Sequence, residues 1–162
     1  MSEKLAIRLA TASDVETIHR LLQHLADSTG LRHKFLGRPQ DILKFGFSDE
    51  PRFEALLAEQ GDVVVGLCLF FYNFSSWRGE LGVYIQDLVV DNDVRAGGIG
   101  RLLVHETARH ANEQGATHLR LSVDRDNHQA MRFYEKIGLR ESTDESIYAA
   151  YEGDFVNLVE AV

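Results

Sequence analysis

The stretch Val89-Val90-Asp91-Asn92-Asp93-Val94-Arg95-Ala96-Gly97-Gly98-Ile99-Gly100-Arg101-Leu102-Leu103 reads as the end of a strand, a glycine-rich turn and the start of a helix. Gly97, Gly98 and Gly100 have no Cβ, so the backbone there can take positive φ and lie close to a ligand. The first N–H groups of the following helix lack internal partners, and together with the helix dipole they favour an anion, most often a phosphate. Arg95 and Arg101 flank the turn and add positive charge. Two readings fit the glycines equally well: a phosphate cradle, or a tight strand-to-helix connection that binds nothing.

Outward from this turn, Leu81 to Val90 forms the preceding strand, and Ile99 to Asn112 a helix with Leu102, Leu103, Thr107 and Ala111 roughly on one side. Thr117 to Val123 alternates apolar and polar as a strand does. Strand, turn, helix and strand make one βαβ unit, whose two strands should be parallel. Upstream, Phe53 to Glu59 and Val63 to Tyr72 flank the turn signal Gly61-Asp62 and read as a hairpin. Leu5 to Leu9 is a short first strand. Ser13 and Glu16 have the spacing of a capping box, and Val15, Ile18, Leu21, Leu22 and Leu25 follow at helical spacing up to Gly30. Asp41 to Phe45, after Pro39, suggests a second short helix that covers a substrate site or caps the core. Downstream, Ala130, Phe133, Tyr134 and Ile137 mark a helix closed by Gly138. Ser146 to Tyr151 and Asp154 to Val159, split by Glu152-Gly153, read as a terminal hairpin.

A chain of 162 residues suits one domain, here 1–162, with a sizeable core. Hydrophobic content of 44% and charged content of 26% are ordinary for a soluble globular protein. No apolar run reaches the ~20 residues of a membrane span, and the N-terminus lacks the shape of a signal peptide, so a cytoplasmic location without a membrane partner is expected. The formal net charge is −8, and no basic stripe of the kind a nucleic-acid binder carries is visible. The single cysteine, Cys68, sits in an apolar run and reads as a buried, inert thiol. The seven histidines show no ligand spacing, so no metal is expected.

The run Arg95-Ala96-Gly97-Gly98-Ile99-Gly100 resembles the R/Q-x-x-G-x-G/A signature of the GNAT superfamily of N-acetyltransferases. One strand downstream, Asn127-His128-Gln129-Ala130-Met131-Arg132-Phe133-Tyr134-Glu135-Lys136-Ile137-Gly138 resembles that family's N-x-x-A-x-x-x-Y-x-K-x-G segment. The resemblance spans essentially the whole chain. Ile7-Arg8, Phe45-Gly46-Phe47, Val65-Gly66, Trp77 and the Tyr84–Asp87 strand are most similar to the diamine (spermidine/spermine-type) acetyltransferase branch.

The resemblance implies an α/β fold: a mixed, twisted sheet of six to seven strands, helices on both faces, and a central parallel pair splayed to admit acetyl-CoA. It implies acetyl transfer from acetyl-CoA, as co-substrate, to a primary amine. The cofactor role falls on Arg95, Ala96, Gly97, Gly98, Ile99, Gly100 and Arg101 at the pyrophosphate and on Leu88, Val89 and Val90 along the pantetheine arm. Asn127 matches a family asparagine near the gap, although an asparagine there also suits a helix N-cap. Tyr134 matches the tyrosine placed to protonate the departing thiolate; from the apolar stripe of its helix alone, a packed core tyrosine is the alternative. A homodimer is expected from the resemblance.

The base is less defined. An alkylamine of pKa about 10.4 must lose a proton before it attacks. The diamine branch carries a glutamate where this chain has Gln86, beside the retained Asp87. Gln86 cannot accept that proton, which leaves Asp87 or Glu80 acting through water, a chain of waters, or a substrate that arrives deprotonated. Trp77, Glu80, Tyr84 and Gln86 are candidate substrate contacts, and Glu50, Asp144 and Glu145 further acidic side chains for a cationic substrate. The expected function is N-acetylation of a polyamine, diamine or lysine-like amine by direct attack in a ternary complex, with no nucleic acid as partner. Alternatives are an amino acid, an aminoglycoside or a protein N-terminus as acceptor, a catalytically silent acyl-CoA-binding module, and an interaction protein that keeps only the scaffold.

Overall fold

In the computed structural model, residues 4–161 are described, with the side chains of Arg95 and Ala96 outside that description. Leu5–Leu9 (β1) is followed by the helices Val15–Ser28 (α1) and Pro39–Gly46 (α2). Three long strands come next, Glu54–Gln60 (β2), Val63–Ser75 (β3) and Glu80–Val90 (β4). A 3-10 turn at Asn92–Gly97 leads into Ile99–Glu113 (α3), then Ala116–Leu121 (β5), His128–Lys136 (α4) and Glu152–Glu160 (α5). The chain divides into two compact units, one ending at Ser122 and the other beginning at Val123.

The first unit is a sheet in the order β1-β2-β3-β4-β5. The β1–β2, β2–β3 and β3–β4 pairs are antiparallel and β4–β5 is parallel. Residues Ala55–Ala58 of β2 and 65–70 of β3 are buried without interruption. Such continuous burial requires cover on both faces of the sheet. Leu57, Leu67, Leu69 and Val89 pack with Val15, Ile18 and Leu21 of α1 on one face. On the other, a Cβ placed on Gly66 would lie 3.0 Å from Leu103 Cδ1 and 3.3 Å from Ile99 Cγ2 of α3. Gly66 thus lets the first turns of α3 sit directly on β3. Within that interface Ile99, Leu103, Thr107 and Ala111 are buried.

Arg8 ties the sheet's first edge to α1. Its guanidinium donates to both carboxylate oxygens of Asp14, each at 2.8 Å, and to Glu59 Oε1 at 2.7 Å. These bonds hold the Asp14 carboxyl down at about 2. The reciprocal cap lies at Thr11 and Asp14 rather than at Ser13 and Glu16: the Thr11 N–H donates to Asp14 Oδ2 at 2.8 Å. Asp14 is buried and bound to Arg8, and that tertiary contact selects the earlier register.

Three expectations are corrected. The sheet has five strands among the described residues, not six to seven. The terminal hairpin is absent: residues 139–150 are irregular, and Glu152–Glu160 is helical. Phe155, Leu158 and Val159 lie at i, i+3 and i+4, the helical period, which prevails over the β propensity of single residues. The parallel pair lies at the sheet's edge rather than its centre, because β5 is the last strand in the order.

Candidate active site

The glycine turn hangs from the end of β4. The Asp91 N–H donates to Val65 O at 2.8 Å, continuing the strand pairing by one residue. Arg20 of α1 reaches the same corner, donating to Val64 O at 3.0 Å and lying 3.6 Å from Asp91 Oδ2. Gly98 then takes φ +75°, ψ 10°, and forms the N-cap of α3 without a side-chain cap. No atom lies within 4 Å of where a Cβ on Gly98 would stand, and a Cβ on Gly97 would meet only Ile99 Cγ1, at 3.8 Å. The Leu102 N–H is the first to bond back, to Gly98 O at 3.1 Å. The amides of Ile99, Gly100 and Arg101 are therefore the donors that a helix start leaves to a ligand. Open space, bare amides and a left-handed entry fit a diphosphate group. Arg101 is exposed beside them.

Upstream on β4, register decides the geometry. Leu69 pairs with Asp87 but Phe70 pairs with Ile85, so Gln86 is an extra residue, a β-bulge. In regular alternation Tyr84 and Asp87, three apart, would point to opposite faces. The bulge places both on the α1 face, opposite Phe71 and Leu69 respectively. Along that face they are about 7 Å apart. The ladder to β5 ends at Ile85–Leu121, while β4 runs on through Leu88, Val89 and Val90 beside β3.

Asp87 is half-buried, and burial alone drives its carboxyl up to about 6. Among the described residues no side chain or backbone donor is bonded to it. A carboxyl in this state can hold or release a proton near neutral pH, which suits a general base. Gln86 is exposed beside it. Tyr84 stacks on Phe71, with ring centroids 5.1 Å apart, and its hydroxyl lies 2.5 Å from Ser122 Oγ.

Trp77 and Glu80 lie at the opposite end of β4 from Asp87. Trp77 is fully exposed at the tip of the β3–β4 hairpin. Glu80 begins β4, about 20 Å of strand away from Asp87. Its carboxylate accepts from the Thr117 hydroxyl at 2.8 Å and from Arg78 Nε at 3.2 Å, and these bonds, Thr117 foremost, hold it below the usual carboxylate range. Glu50 is paired with Arg52 at 3.4 Å. A cavity of about 290 Å³ opens near the C-terminal end of α3, lined by Val83, Ala111, Ala116 and Leu119 among others, and holds none of the predicted site residues.

In the second unit, Asn127 caps α4: its Oδ1 accepts from the Ala130 N–H at 3.1 Å. Tyr134 is half-buried, edge-on to Phe133 at a centroid distance of 5.1 Å. No α4 residue is fully buried, so the helix period there does not make Tyr134 a sealed core residue. Cys68 is buried, its thiol pushed up to about 12 by burial, and therefore unreactive. Among the described residues, no group of three or more His, Cys, Asp or Glu side chains is placed to hold a metal, and no helix is long and apolar enough to cross a membrane.

The sequence alone did not reveal the bulge, the Phe71–Tyr84 stack or the Arg20–Asp91 contact. A glutamine carries no bulge signal, and each of these contacts joins residues far apart in the chain.

Comparison with known proteins places these features. Residues 18–139 match the model of the acetyltransferase (GNAT) family. Thialysine N-epsilon-acetyltransferase of Bos taurus is 31% identical over 146 residues, 85% of this chain and 85% of that protein. Spermidine/spermine N(1)-acetyltransferase-like protein 1 of Homo sapiens is 32% identical over 101 residues, covering 58% of this chain and 14% of that protein. Among solved structures, an integron cassette protein from the mobile metagenome of V. cholerae superposes with a TM-score of 0.82 at 20% identity, covering 99% of both chains. The chain belongs to the GNAT family of acetyltransferases and is an N-acetyltransferase related to its diamine branch.

Proposed function

We propose that this enzyme transfers the acetyl group of acetyl-CoA to the primary amine of a small cationic molecule, lysine-like or polyamine-like, by direct attack within a ternary complex. The observation that carries this reading is the Asp87 carboxyl. It is unbonded, raised to about 6 by burial, and turned by the Gln86 bulge onto one face of the strand that ends in the glycine turn. An ammonium group brought to Asp87 gives up its proton there, directly or through one water, and the neutral amine attacks the thioester carbonyl. Gln86, which cannot take the proton, offers the same amine an amide oxygen as acceptor.

The amides of Ile99, Gly100 and Arg101 and the open face of Gly97 and Gly98 hold the diphosphate of acetyl-CoA. Arg95 and Ala96 share that role by resemblance. Leu88, Val89 and Val90 present backbone to the pantetheine arm. Tyr134 supplies a proton to the departing thiolate, and Asn127, besides capping α4, has a cofactor contact by resemblance. The buried Cys68 thiol supports attack without a covalent enzyme intermediate.

The family match at 18–139 runs across the boundary between the two units, which supports treating residues 1–162 as one acetyltransferase domain. The same reading takes the enzyme to be a cytoplasmic homodimer. The exposed Ile147, Tyr148, Tyr151 and Phe155 of the second unit support self-association, and light scattering in solution tests it.

The function is tested with a panel of amines: lysine analogues, diamines, polyamines, free amino acids, an aminoglycoside and an N-terminal peptide. Released CoA thiol is followed in each case. Turnover is expected with the lysine-like and diamine members. Binding of acetyl-CoA with no turnover on any amine would make the chain a silent binding module. Tyr134→Phe should lower kcat and leave acetyl-CoA affinity nearly unchanged; an unchanged kcat removes the acid role from Tyr134.

A further inference from the structure

We infer that Tyr84 is a positioning residue that braces the β4–β5 junction where acetyl-CoA enters, rather than a contact for the amine. The inference rests on the acetyl-CoA reading of the site.

Backbone bonds hold β4 and β5 together only as far as Ile85–Leu121. Beyond that rung their separation depends on side chains. Tyr84 stands one rung before the end of the ladder, opposite Arg120 in register. Its ring leans on Phe71 of β3, with centroids 5.1 Å apart and planes 29° from parallel. Its hydroxyl reaches forward to Ser122 Oγ, 2.5 Å away and one residue past the end of β5. One side chain therefore links β3, β4 and the residue after β5, one rung before the ladder ends. On β4 the bulge at Gln86 follows directly. A bulge bends its strand and raises the local twist. The Phe71–Tyr84–Ser122 link sits where that bend would otherwise be free to vary, and it fixes the angle at which β4 leaves β5. With its hydroxyl already bonded to Ser122 and its ring already stacked, Tyr84 has little left to offer an amine.

Tyr84→Phe keeps the stack and removes the hydroxyl; Ser122→Ala removes the other half of the bond. Each is expected to weaken acetyl-CoA binding by about threefold, the size of one partly solvated hydrogen bond. KM for the amine should stay unchanged. The double variant should be no weaker than the poorer single one, because both substitutions break the same bond. In unliganded protein, each variant should speed amide hydrogen exchange at Ile85–Asp87 and Leu121–Ser122. Additive losses, or an effect confined to the amine KM, would overturn the brace and return Tyr84 to the amine site. Should the wild-type protein fail to bind acetyl-CoA, the proposed function falls; hydrogen exchange in the unliganded variants still decides the brace, and unchanged exchange in Tyr84→Phe overturns it.

Discussion

Replacing Asp87 with asparagine should make the protein more stable at neutral pH while stopping turnover. Burial raises the carboxyl from 3.8 to about 6, with no donor to offset it. Keeping that carboxylate ionised in the fold therefore costs about 3 kcal/mol. An asparagine amide at the same place is desolvated about as much as the protonated carboxyl, so it adds no cost relative to the wild type at low pH. The net gain at neutral pH is therefore about 3 kcal/mol, or about 6–12 °C in melting temperature for a chain of this size. The pH dependence follows from the sign. Asp87 has the higher pKa in the folded state, so the unfolded chain releases this proton first as pH rises. Wild-type stability therefore falls between about pH 4 and pH 6 and is flat above, as far as this group decides it. Thermal melts of the two proteins should coincide near pH 4, diverge through pH 6 and remain apart by a constant amount at pH 7 and 8. Initial rates should rise through about pH 6 in the wild type. The asparagine variant should lose that limb, with activity down about 10²- to 10⁴-fold. Equal melting temperatures at pH 8, or a difference that persists at pH 4, would refute the desolvation argument. Full activity in the variant would refute the base assignment and leave the stability argument standing.

Three further outcomes follow from the same physics. Asp14→Asn should cost about 2 kcal/mol at pH 7, since Arg8 holds this carboxyl at about 2; in urea titrations the deficit should shrink as pH falls from about 4 toward 2, where wild-type Asp14 takes up its proton. Gly66→Ala should push the first turns of α3 off β3 by a few tenths of an ångström, lowering stability by about 1 kcal/mol in melts and acetyl-CoA affinity a few-fold in calorimetry. Cys68 should resist iodoacetamide at pH 8 in the native protein, with activity intact, whereas labelling accompanied by inactivation would reopen a covalent route.

Much of the first unit was legible before folding because its signals are local. Gly61-Asp62 between two apolar runs specifies the β2–β3 hairpin, and the apolar spacing of Val15 to Leu25 specifies α1. The glycine turn is likewise readable from Gly97 to Gly100, and in the structure Gly98 does take positive φ at the start of α3. The C-terminal stretch misled because β-prone residues at 146–151 and 154–159 also satisfy other patterns, and residue preference does not choose between them. Strand number and the edge position of β5 depend on which chains pair, a relation no single segment contains.

The sequence by itself determined the family, the order of the elements from β1 through α4 and the glycine turn at the start of α3, because each depends on residue type at short spacing. Tertiary structure decided the chemistry upstream of it. Whether Asp87 points toward Tyr84 or away from it depends on one unpaired residue, Gln86, in the register between β3 and β4. Its proton affinity depends on how much water the packing around β4 excludes. Both are properties of neighbouring strands and helices brought together, and neither is written in the run Tyr84-Ile85-Gln86-Asp87 alone.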